Sequence, residues 1–351
     1  MRFRKKQWIC AGAALLSLLV FGILTIISQY LSGLHRAQYA AERWQAQSEL
    51  RYVQMSAFYS PDDGFTEDSL QMLRESVDSA VRSVSLTAAN EGARVWCDAY
   101  SASAGTVQIM GTRRYSVQAQ VMAVGGDFFT IHAPVLKSGS YLQKSDLMQD
   151  RIVIDEELAW QLFGSSDVAG MEVEIDRKFY RVAGVAARNH DYASEKAYGE
   201  IPRMYISFDL YEEWMSQRGG MAAITCYEIL LPDPVRSFAK NTFEQAAAMG
   251  GNAKIVQNSN RFALSGRYGR LADLHGMLIV SDGIAYPYWE NAARILDFDL
   301  SLLLVGQCVF LIFPLFMALY LLWKGYRRAD AFLTSKRLAH KNRFRLLVKT
   351  E

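Results

Sequence analysis

The chain has 351 residues, 51% of them hydrophobic, and its 38 basic and 36 acidic residues leave a formal net charge of +2. This length suits one large domain or two small ones. Four cysteines do not make a disulfide scaffold, and the sequence contains neither a C-x-x-C pair for zinc nor a G-x-x-x-x-G-K-[ST] loop for a nucleotide.

Two apolar runs predict membrane-spanning helices. Residues 8–28 and 300–323 contain no charged residue, and each is long enough to cross a hydrocarbon core of roughly 30 Å as a helix. A cleavable signal peptide is the alternative for the first run, but its apolar core exceeds the usual length of roughly 7–15 residues and no obvious cleavage site follows. We therefore expect both segments to remain in the membrane.

Charge is partitioned around these two segments. The first seven residues carry +4 and residues 324–351 carry +7, whereas residues 29–299 hold 25 basic and 34 acidic residues, a net −9. Basic flanks of membrane helices stay in the cytoplasm. The sequence thus predicts a bacterial plasma-membrane protein with two spans, cytoplasmic termini and an extracytoplasmic segment 29–299.

The outer segment begins with helical patterns and continues with strand-like ones. Residues 29–59 predict a stalk helix that continues the first span, because they are rich in Ala, Gln, Glu, Arg and Leu. A second helix is predicted over residues 66–82, where apolar residues recur at a spacing of three to four. Strand-like runs follow at 95–100, 106–110 and 115–124.

Residues 150–188 predict a strand, a helix and a hairpin in succession. Asp155 can cap the helix and Gly164 suits its end. Glu156 and Glu157 are favourable near the positive N-terminus of that helix.

The order of the elements predicts an α+β outer domain. Later strands at 226–231 and 253–257 flank a helix over 235–249, and a β-rich insertion lies between about 127 and 207. Two subdomains fit this order better than one.

Two sets of residues raise the question of an enzyme. Asp127, His132 and Ser140 lie close in sequence but follow no known catalytic motif. Ser237 and Lys240 have a serine–lysine spacing, yet the other motifs of serine–lysine enzymes are absent. We predict that the chain is not an enzyme and that it holds no cofactor or metal.

The cysteines and the aromatic residues near the second span leave alternatives open. An oxidising compartment permits a disulfide between Cys97 and Cys226, and the sequence does not decide whether it forms. Tyr288 and Trp289 belong to an aromatic group just before the second span. This group suits an interfacial belt or a docking surface for another membrane subunit.

Four short segments in the middle of the chain follow one another in a recurring order. They are "GGDFF" at 125–129, "LKSGSYL" at 136–142, "IVIDEELAWQLFGSSDVAG" at 152–170 and "VEIDRKFYRVAGV" at 173–185. Because these four segments occur in this order, the chain resembles the MacB-like periplasmic core domain of FtsX-like ABC transporter permeases. The residues that match the family pattern are Gly125, Gly126, Asp127, Phe128, Phe129, Gly139, Asp155, Glu156, Leu158, Ala159, Leu162, Phe163, Gly164, Gly170, Val182, Gly184 and Val185.

The resemblance implies an architecture for the outer segment. After the stalk, residues 60–126 and 208–298 would form a porter-like subdomain, and residues 127–207 a sabre-like insertion. Under this interpretation the matched residues are structural and not catalytic.

The resemblance also implies partners. We expect a separate ABC ATPase and another permease chain, with the lipid bilayer around the spans and no nucleic acid. The candidate partner contacts are Lys324, Arg327, Arg328 and Trp289. Members of the family usually have four spans, so we expect a half-sized relative that transmits motion and does not line a channel. The alternative is an extracytoplasmic sensor or binding module without an ATPase partner.

Overall fold

The computed structural model describes residues 5–46, 49–63, 65–87, 94–111, 115–143, 146, 148–249, 251–272 and 284–347. The chain divides into two compact units. The outer unit is Leu31–Phe298, and the helix unit combines residues 1–30 with 299–351. Helix α1, Lys5–Leu34, and helix α10, Tyr288–Leu347, each have residues in both units.

The helix unit consists of the apolar parts of α1 and α10. Two stretches, Trp8–Leu34 and Tyr288–Arg337, are long and apolar enough to cross a membrane. The predicted spans 8–28 and 300–323 lie inside these stretches. Apolar helices are therefore present at both predicted positions.

A proline in α10 leaves one backbone carbonyl free for α1. Pro314 has no N–H, so the carbonyl of Phe310 loses its partner in the helix. Ser17 on α1 donates its hydroxyl to that carbonyl at 2.5 Å. A second contact joins Gln307 Nε2 to Thr25 Oγ1 at 3.3 Å. The two helices are thus joined by two hydrogen bonds between polar groups in otherwise apolar segments.

We expect Ser17→Ala to weaken this pairing by about 1 kcal/mol, the usual size of an interhelical hydrogen bond in a membrane. Thermal unfolding of the full chain in lipid nanodiscs measures the change. Ser335→Ala is the control, because the Ser335 hydroxyl bonds to the Phe332 carbonyl of its own helix at 2.8 Å. An unchanged melting temperature for Ser17→Ala would contradict the role given to this serine.

The outer unit is an α+β domain, as the sequence predicts. Its strands are β1 Tyr52–Phe58, β2 Cys97–Met110, β3 Ser116–Gly126, β4 Leu136–Gly139, β5 Arg151–Asp155, β6 Glu172–Ile175, β7 Lys178–Ala186, β8 Arg203–Ser207, β9 Cys226–Pro232 and β10 Lys254–Gln257. Its helices, besides the ends of α1 and α10, are α2 Ala40–Gln45, α3 Glu67–Ser83, α4 Phe128–His132, α5 Glu156–Phe163, α6 Tyr192–Tyr198, α7 Phe208–Gln217, α8 Phe238–Ala248 and α9 Leu264–Ala272, with 3-10 turns at Arg36–Tyr39 and Pro61–Asp63.

These strands form one sheet, part of which closes on itself. The strand order is β10-β1-β9-β2-β3-β8-β5-β7-β4, and β6 pairs with both β2 and β7. Because β6 returns to β2, the strands β2, β3, β8, β5, β7 and β6 form a closed ring. Closure removes free strand edges along this ring. Strands β10, β1 and β9 extend the sheet from β2 as its open part.

The expected insertion at 127–207 supplies strands β4 to β8 without forming a compact unit of its own. Strand β8 pairs in parallel with β3, with Gln120 opposite Arg203 and Val124 opposite Ser207. The sheet therefore runs without a break from the flanking segments into the insertion. The division into two subdomains stays a prediction. Strands β2 and β3 pair with strands of both regions, which local sequence patterns do not reveal.

The two faces of the open sheet carry different side chains. Alternate residues of a strand point to opposite faces, and Val53, Met55 and Ala57 of β1 belong to the larger apolar core, with α8 packed against this strand. Gln54 and Ser56 are buried on the other face. Strand β1 therefore buries two polar side chains on that second face, beside Phe58 of the smaller apolar core.

The predicted stalk helix 29–59 is wrong in its second half. Helix α1 ends at Leu34, α2 ends at Gln45, and Tyr52–Phe58 is strand β1. This strand is buried between β9 and β10, which lie far along the chain. The long-range pairing of Tyr52–Phe58 therefore overrides the helix-favouring composition on which the prediction for residues 29–59 is based.

Other predicted elements differ less. Helix 66–82 corresponds to α3 and strand 226–231 to β9, within two residues at each end. The two strands predicted at 95–100 and 106–110 are one continuous strand, β2, with an irregularity in its pairing between Ser103 and Thr106.

Cys97 and Cys226 do not form a disulfide. Both cysteines are buried. They lie on paired strands but four positions apart in the pairing, since Cys97 faces Leu230 and Cys226 faces Ser101. Four strand residues span about 13 Å, whereas a disulfide needs Cα atoms about 4.4–6.8 Å apart.

Candidate functional site: the polar joint of the outer unit

The matched loop at 125–129 is a tight exit from strand β3. A Cβ on Gly125 would overlap a tyrosine ring at 2.3 Å, and Gly126 has a φ of +65°, which favours glycine. Asp127 accepts two hydrogen bonds from the Arg94 guanidinium, the longer at 2.9 Å. The loop is therefore held by backbone shape and an ion pair.

The three residues that suggest a catalytic set make contacts with other parts of the outer unit. His132 Nε2 lies 2.5 Å from Glu228 Oε2, and both residues are buried. The backbone N–H of Ser140 donates to the Ala183 carbonyl at 2.8 Å. The Asp127 carboxylate is engaged by Arg94, which precedes strand β2.

The serine–lysine pair is likewise part of local structure. Ser237 precedes α8 with a φ of +70°, and Lys240 Nζ lies 3.7 Å from Glu244 on the same helix. Over the described part of the chain, no three His, Cys, Asp or Glu side chains come together as a metal site.

Asp155 is the hub of the longest matched segment. Its Oδ1 accepts a hydrogen bond from the Leu158 N–H at 2.7 Å, which caps α5 as predicted. Its Oδ2 accepts from the Tyr198 hydroxyl at 3.1 Å and from the Arg203 N–H at 2.9 Å. Burial raises the pKa of this carboxyl above its usual range, although these hydrogen bonds and the nearby Arg188 oppose the shift. One side chain thus ties α5 to α6 and β8.

We expect Asp155→Ala to destabilise the outer unit by about 2–3 kcal/mol. The substitution removes a helix cap worth about 1 kcal/mol and leaves buried donors without an acceptor. Chemical denaturation of the full chain measures the loss, with Asp167→Ala, at an exposed loop position, as the control. Equal stability of the two variants would contradict the hub role.

Glu156 fixes the segment that follows β7. Its Oε1 accepts from the Arg188 N–H at 2.7 Å and lies 3.2 Å from His190 Nε2, while its Oε2 lies 3.5 Å from Lys137 Nζ. Burial alone would raise the pKa of Glu156, but the Arg188 hydrogen bond and the Lys137 charge outweigh burial and lower it.

The remaining matched residues serve packing and turns. Gly164 and Gly170 have φ values of +73° and +87°, and Gly164 ends α5 as predicted. The buried members are Phe128, Leu158, Ala159, Leu162, Val182, Gly184 and Val185, with Phe129 and Phe163 half-buried. Gly139 and Gly184 are opposite each other in the β4–β7 pair. Their part in the family's working cycle stays a prediction.

Trp289 is not available as a partner contact. Its side chain is only 6% exposed, and its ring lies 4.4 Å from His132 and 5.5 Å from Phe128, between ring centres. The prediction that Trp289 contacts a partner is therefore wrong. Helix α10 begins at Tyr288 within the outer unit, so Trp289 packs into the core of that unit.

A chain of buried polar side chains crosses the second face of the sheet. Beyond the His132–Glu228 pair, Ser56 Oγ lies 3.3 Å from Glu228 Oε1 and 2.8 Å from Asn258 Oδ1. Asn258 then donates its Nδ2 to Gln38 Oε1 at 3.0 Å. The chain joins α4, β9, β1 and the 3-10 turn after α1.

A buried arginine cluster lies at the start of α10. Arg261 donates to both oxygens of Glu290, at 2.6 and 3.1 Å, and to Asp297 Oδ2 at 2.8 Å. Arg294 and Arg270 add contacts at 3.0 and 3.7 Å. Burial alone would lower the pKa of Arg261. The charges of Glu290 and Asp297 outweigh burial and raise this pKa above its usual range. We call this cluster and the buried polar chain together the polar joint.

The polar joint is hard to find from sequence. Ser56 bonds to residues 172 and 202 positions away, so no local spacing indicates the contacts. One usable signal is Glu228, the only charged residue in the apolar strand Cys226–Pro232. Another is Glu290 and Asp297, seven residues apart and so on one face of α10.

Three predicted contact residues lie on α10 beyond the apolar run. Arg327 and Arg328 are exposed and Lys324 is half-buried. The Lys324 ammonium lies 5.7 Å from the Tyr320 ring and the Arg327 guanidinium 5.2 Å from the Trp323 ring, which suits weak cation–π contacts. Their contact with a partner stays a prediction.

Comparison with known proteins gives a family match and several structural matches. The family model described as the MacB-like periplasmic core domain matches residues 13–237, more than half of the chain. No curated protein matches significantly. The periplasmic region of MacB from Actinobacillus actinomycetemcomitans is 16% identical, with a TM-score of 0.39 over 59% of this chain and 89% of that one. The extracellular domain of the noncanonic ABC-type transporter YknZ from Gram-positive bacteria is 13% identical, with a TM-score of 0.38 over 59% of this chain and 98% of that one.

Proposed function

Since this chain belongs to the MacB-like periplasmic core domain family, we propose that it works as a permease-type or accessory membrane subunit of an ABC transporter. It is a membrane protein with an extracytoplasmic domain, and its relatives are proteins of the ABC transporter type. In the proposed role it transmits motion between a cytoplasmic ATPase and the outer unit, together with another permease chain.

The continuity of α10 carries this proposal. The helix runs for 60 residues from Tyr288 to Leu347 and has residues in both units. Its first turns are fixed to the outer unit by Arg261 through Glu290 and Asp297. A helix held in this way can pass a tilt or rotation from one end to the other, whereas a flexible linker would absorb it.

The charge pattern supports an orientation for the proposed subunit. The basic residues at both ends of the chain favour cytoplasmic termini. Lys324, Arg327 and Arg328 would then face the cytoplasm, where we propose that they contact the ATPase. The matched residues of the outer unit keep an architectural role in this proposal, with 60–126 and 208–298 as the porter-like part and 127–207 as the sabre-like part.

Affinity purification of the tagged full chain from its native membranes tests the partner. We expect a P-loop ATPase to be retained by the wild type. Its retention should fall at least tenfold when Lys324, Arg327 and Arg328 are replaced by Glu. A matched triple replacement of Lys178, Arg236 and Lys240, all exposed on the outer unit, should not change it. If wild type retains no nucleotide-binding subunit, the transporter proposal fails and a sensor or binding module is favoured.

Hydrogen exchange tests the transmission itself. In the purified complex, we expect amide exchange in residues 254–263 and 288–298 to differ between an ADP-bound state and a vanadate-trapped state. Unchanged exchange in these segments while the ATPase remains active would contradict transmission through the polar joint.

A further inference from the structure

A cavity of about 330 Å³ lies beside the polar joint, entirely within the outer unit. Its wall is formed by the end of α1 with the following 3-10 turn, the residues after α4, helix α6 and the first turns of α10. Aromatic side chains dominate it, namely Tyr198, Tyr205, Tyr288 and Trp289. Pockets for small molecules have about this size and are mostly apolar.

The polar groups of the wall favour a negative ligand. Arg36, His35 and His132 line the cavity, and no carboxylate does within the described residues. The two acids nearest to the histidines, Asp191 and Glu228, stand behind them as their hydrogen-bond partners, at 3.3 Å from His35 and 2.5 Å from His132.

One hydrogen-bond donor at the wall is left without a partner. Both histidines use Nε2 for their carboxylates. In the described structure the buried indole Nε1 of Trp289 has no acceptor. A buried donor without an acceptor is costly, and the Trp289 side chain also lines the cavity.

We propose that this cavity binds an organic anion with an apolar body, such as an aromatic carboxylate. The anionic group lies toward Arg36 and the two histidines, and the apolar body lies against the tyrosines. The occupant contacts Tyr288 and Trp289 at the start of α10 as well as the end of α1. This site does not depend on an ATPase partner, so it is testable on the chain alone.

Calorimetric titration of 2-naphthoate into the full chain in lipid nanodiscs tests the site, with empty nanodiscs as the blank. The neutral analogue 2-naphthylmethanol measures how tightly the naphthalene ring binds without a negative charge on the ligand. We expect saturable one-to-one binding of the carboxylate, at least tenfold tighter than that of the alcohol. Equal affinities would reject the anion preference, and the absence of saturable binding of the carboxylate would reject the site.

Two valine variants locate the binding. Val135 lines the cavity and is 52% exposed, so Val135→Trp fills the space from its open side. Val235 is 69% exposed and lies off the wall, which makes Val235→Trp the matched control. We expect at least tenfold weaker naphthoate binding for the first variant and unchanged binding for the second.

An exposed charge gives an independent check if the tryptophan disturbs the fold. Arg36→Gln should weaken naphthoate binding severalfold and leave the binding of the alcohol unchanged. Thermal unfolding of every variant reports on its fold. Wild-type binding by a folded Val135→Trp, or wild-type binding by Arg36→Gln, would overturn the proposal.

Discussion

Arg261→Met is expected to lower the free energy of unfolding of the outer unit by about 3–5 kcal/mol, because it breaks a buried ion pair from one side only. The side chains of Arg261, Glu290 and Asp297 are 1%, 1% and 3% exposed. Removing the guanidinium leaves two carboxylates in a site where water cannot replace it. Arg294 and Arg270 contact these acids from more exposed positions, so they offset only part of the loss.

The loss is measured by thermal unfolding of the full chain in nanodiscs, where we expect the melting temperature to fall by roughly 10 °C. Arg236→Met is the matched control, since Arg236 is exposed, and it should change the melting temperature little. The double variant Arg261→Met with Glu290→Gln should recover part of the stability, because it removes one of the unpaired charges. A melting temperature of Arg261→Met equal to that of the control would show that the cluster does not hold α10.

Local signals in the sequence are enough to predict the strand–helix–hairpin unit of residues 150–188, but they do not predict the polar joint. Asp155 and Gly164 mark the two ends of α5 within ten residues of each other, and both act as their residue types predict. The partners of Ser56, in contrast, are set by the pairing of β1 with β9 and by the segment after β10. No periodicity in the chain encodes such contacts.

The same reasoning explains the wrong half of the predicted stalk. Residues 40–45 do form helix α2, consistent with their composition. Tyr52–Phe58 becomes a strand only because β9 and β10 flank it and apolar cores cover it. The closure of the ring between β6 and β2 is also non-local, since Ile109 faces Ile175 across two separate hairpins. Tertiary pairing decides both features.

Gly139→Ala is expected to destabilise the outer unit by about 3 kcal/mol or more. Gly139 has a φ of +74°, and a Cβ there would lie 2.1 Å from the Ala183 carbonyl oxygen and 2.7 Å from the Gly184 Cα. Both obstacles are backbone atoms of β7, so no side-chain rotation relieves the overlap. The left-handed backbone costs alanine about 1–2 kcal/mol, and overpacking typically adds about 1–3 kcal/mol.

Gly170→Ala separates these two contributions. Gly170 has a similar φ of +87°, but no atom lies within 4 Å of the position that a Cβ would take there. We therefore expect Gly170→Ala to lower the free energy of unfolding only by the backbone contribution, about 1–2 kcal/mol. Chemical denaturation of both full-length variants gives the difference, which we assign to the close approach of β4 and β7. Among the described strands β4 pairs only with β7. An equal loss in the two variants would therefore mean that β4 shifts away at little cost. The glycine of the matched segment would then be required for its backbone conformation alone, and not for the contact between the two strands.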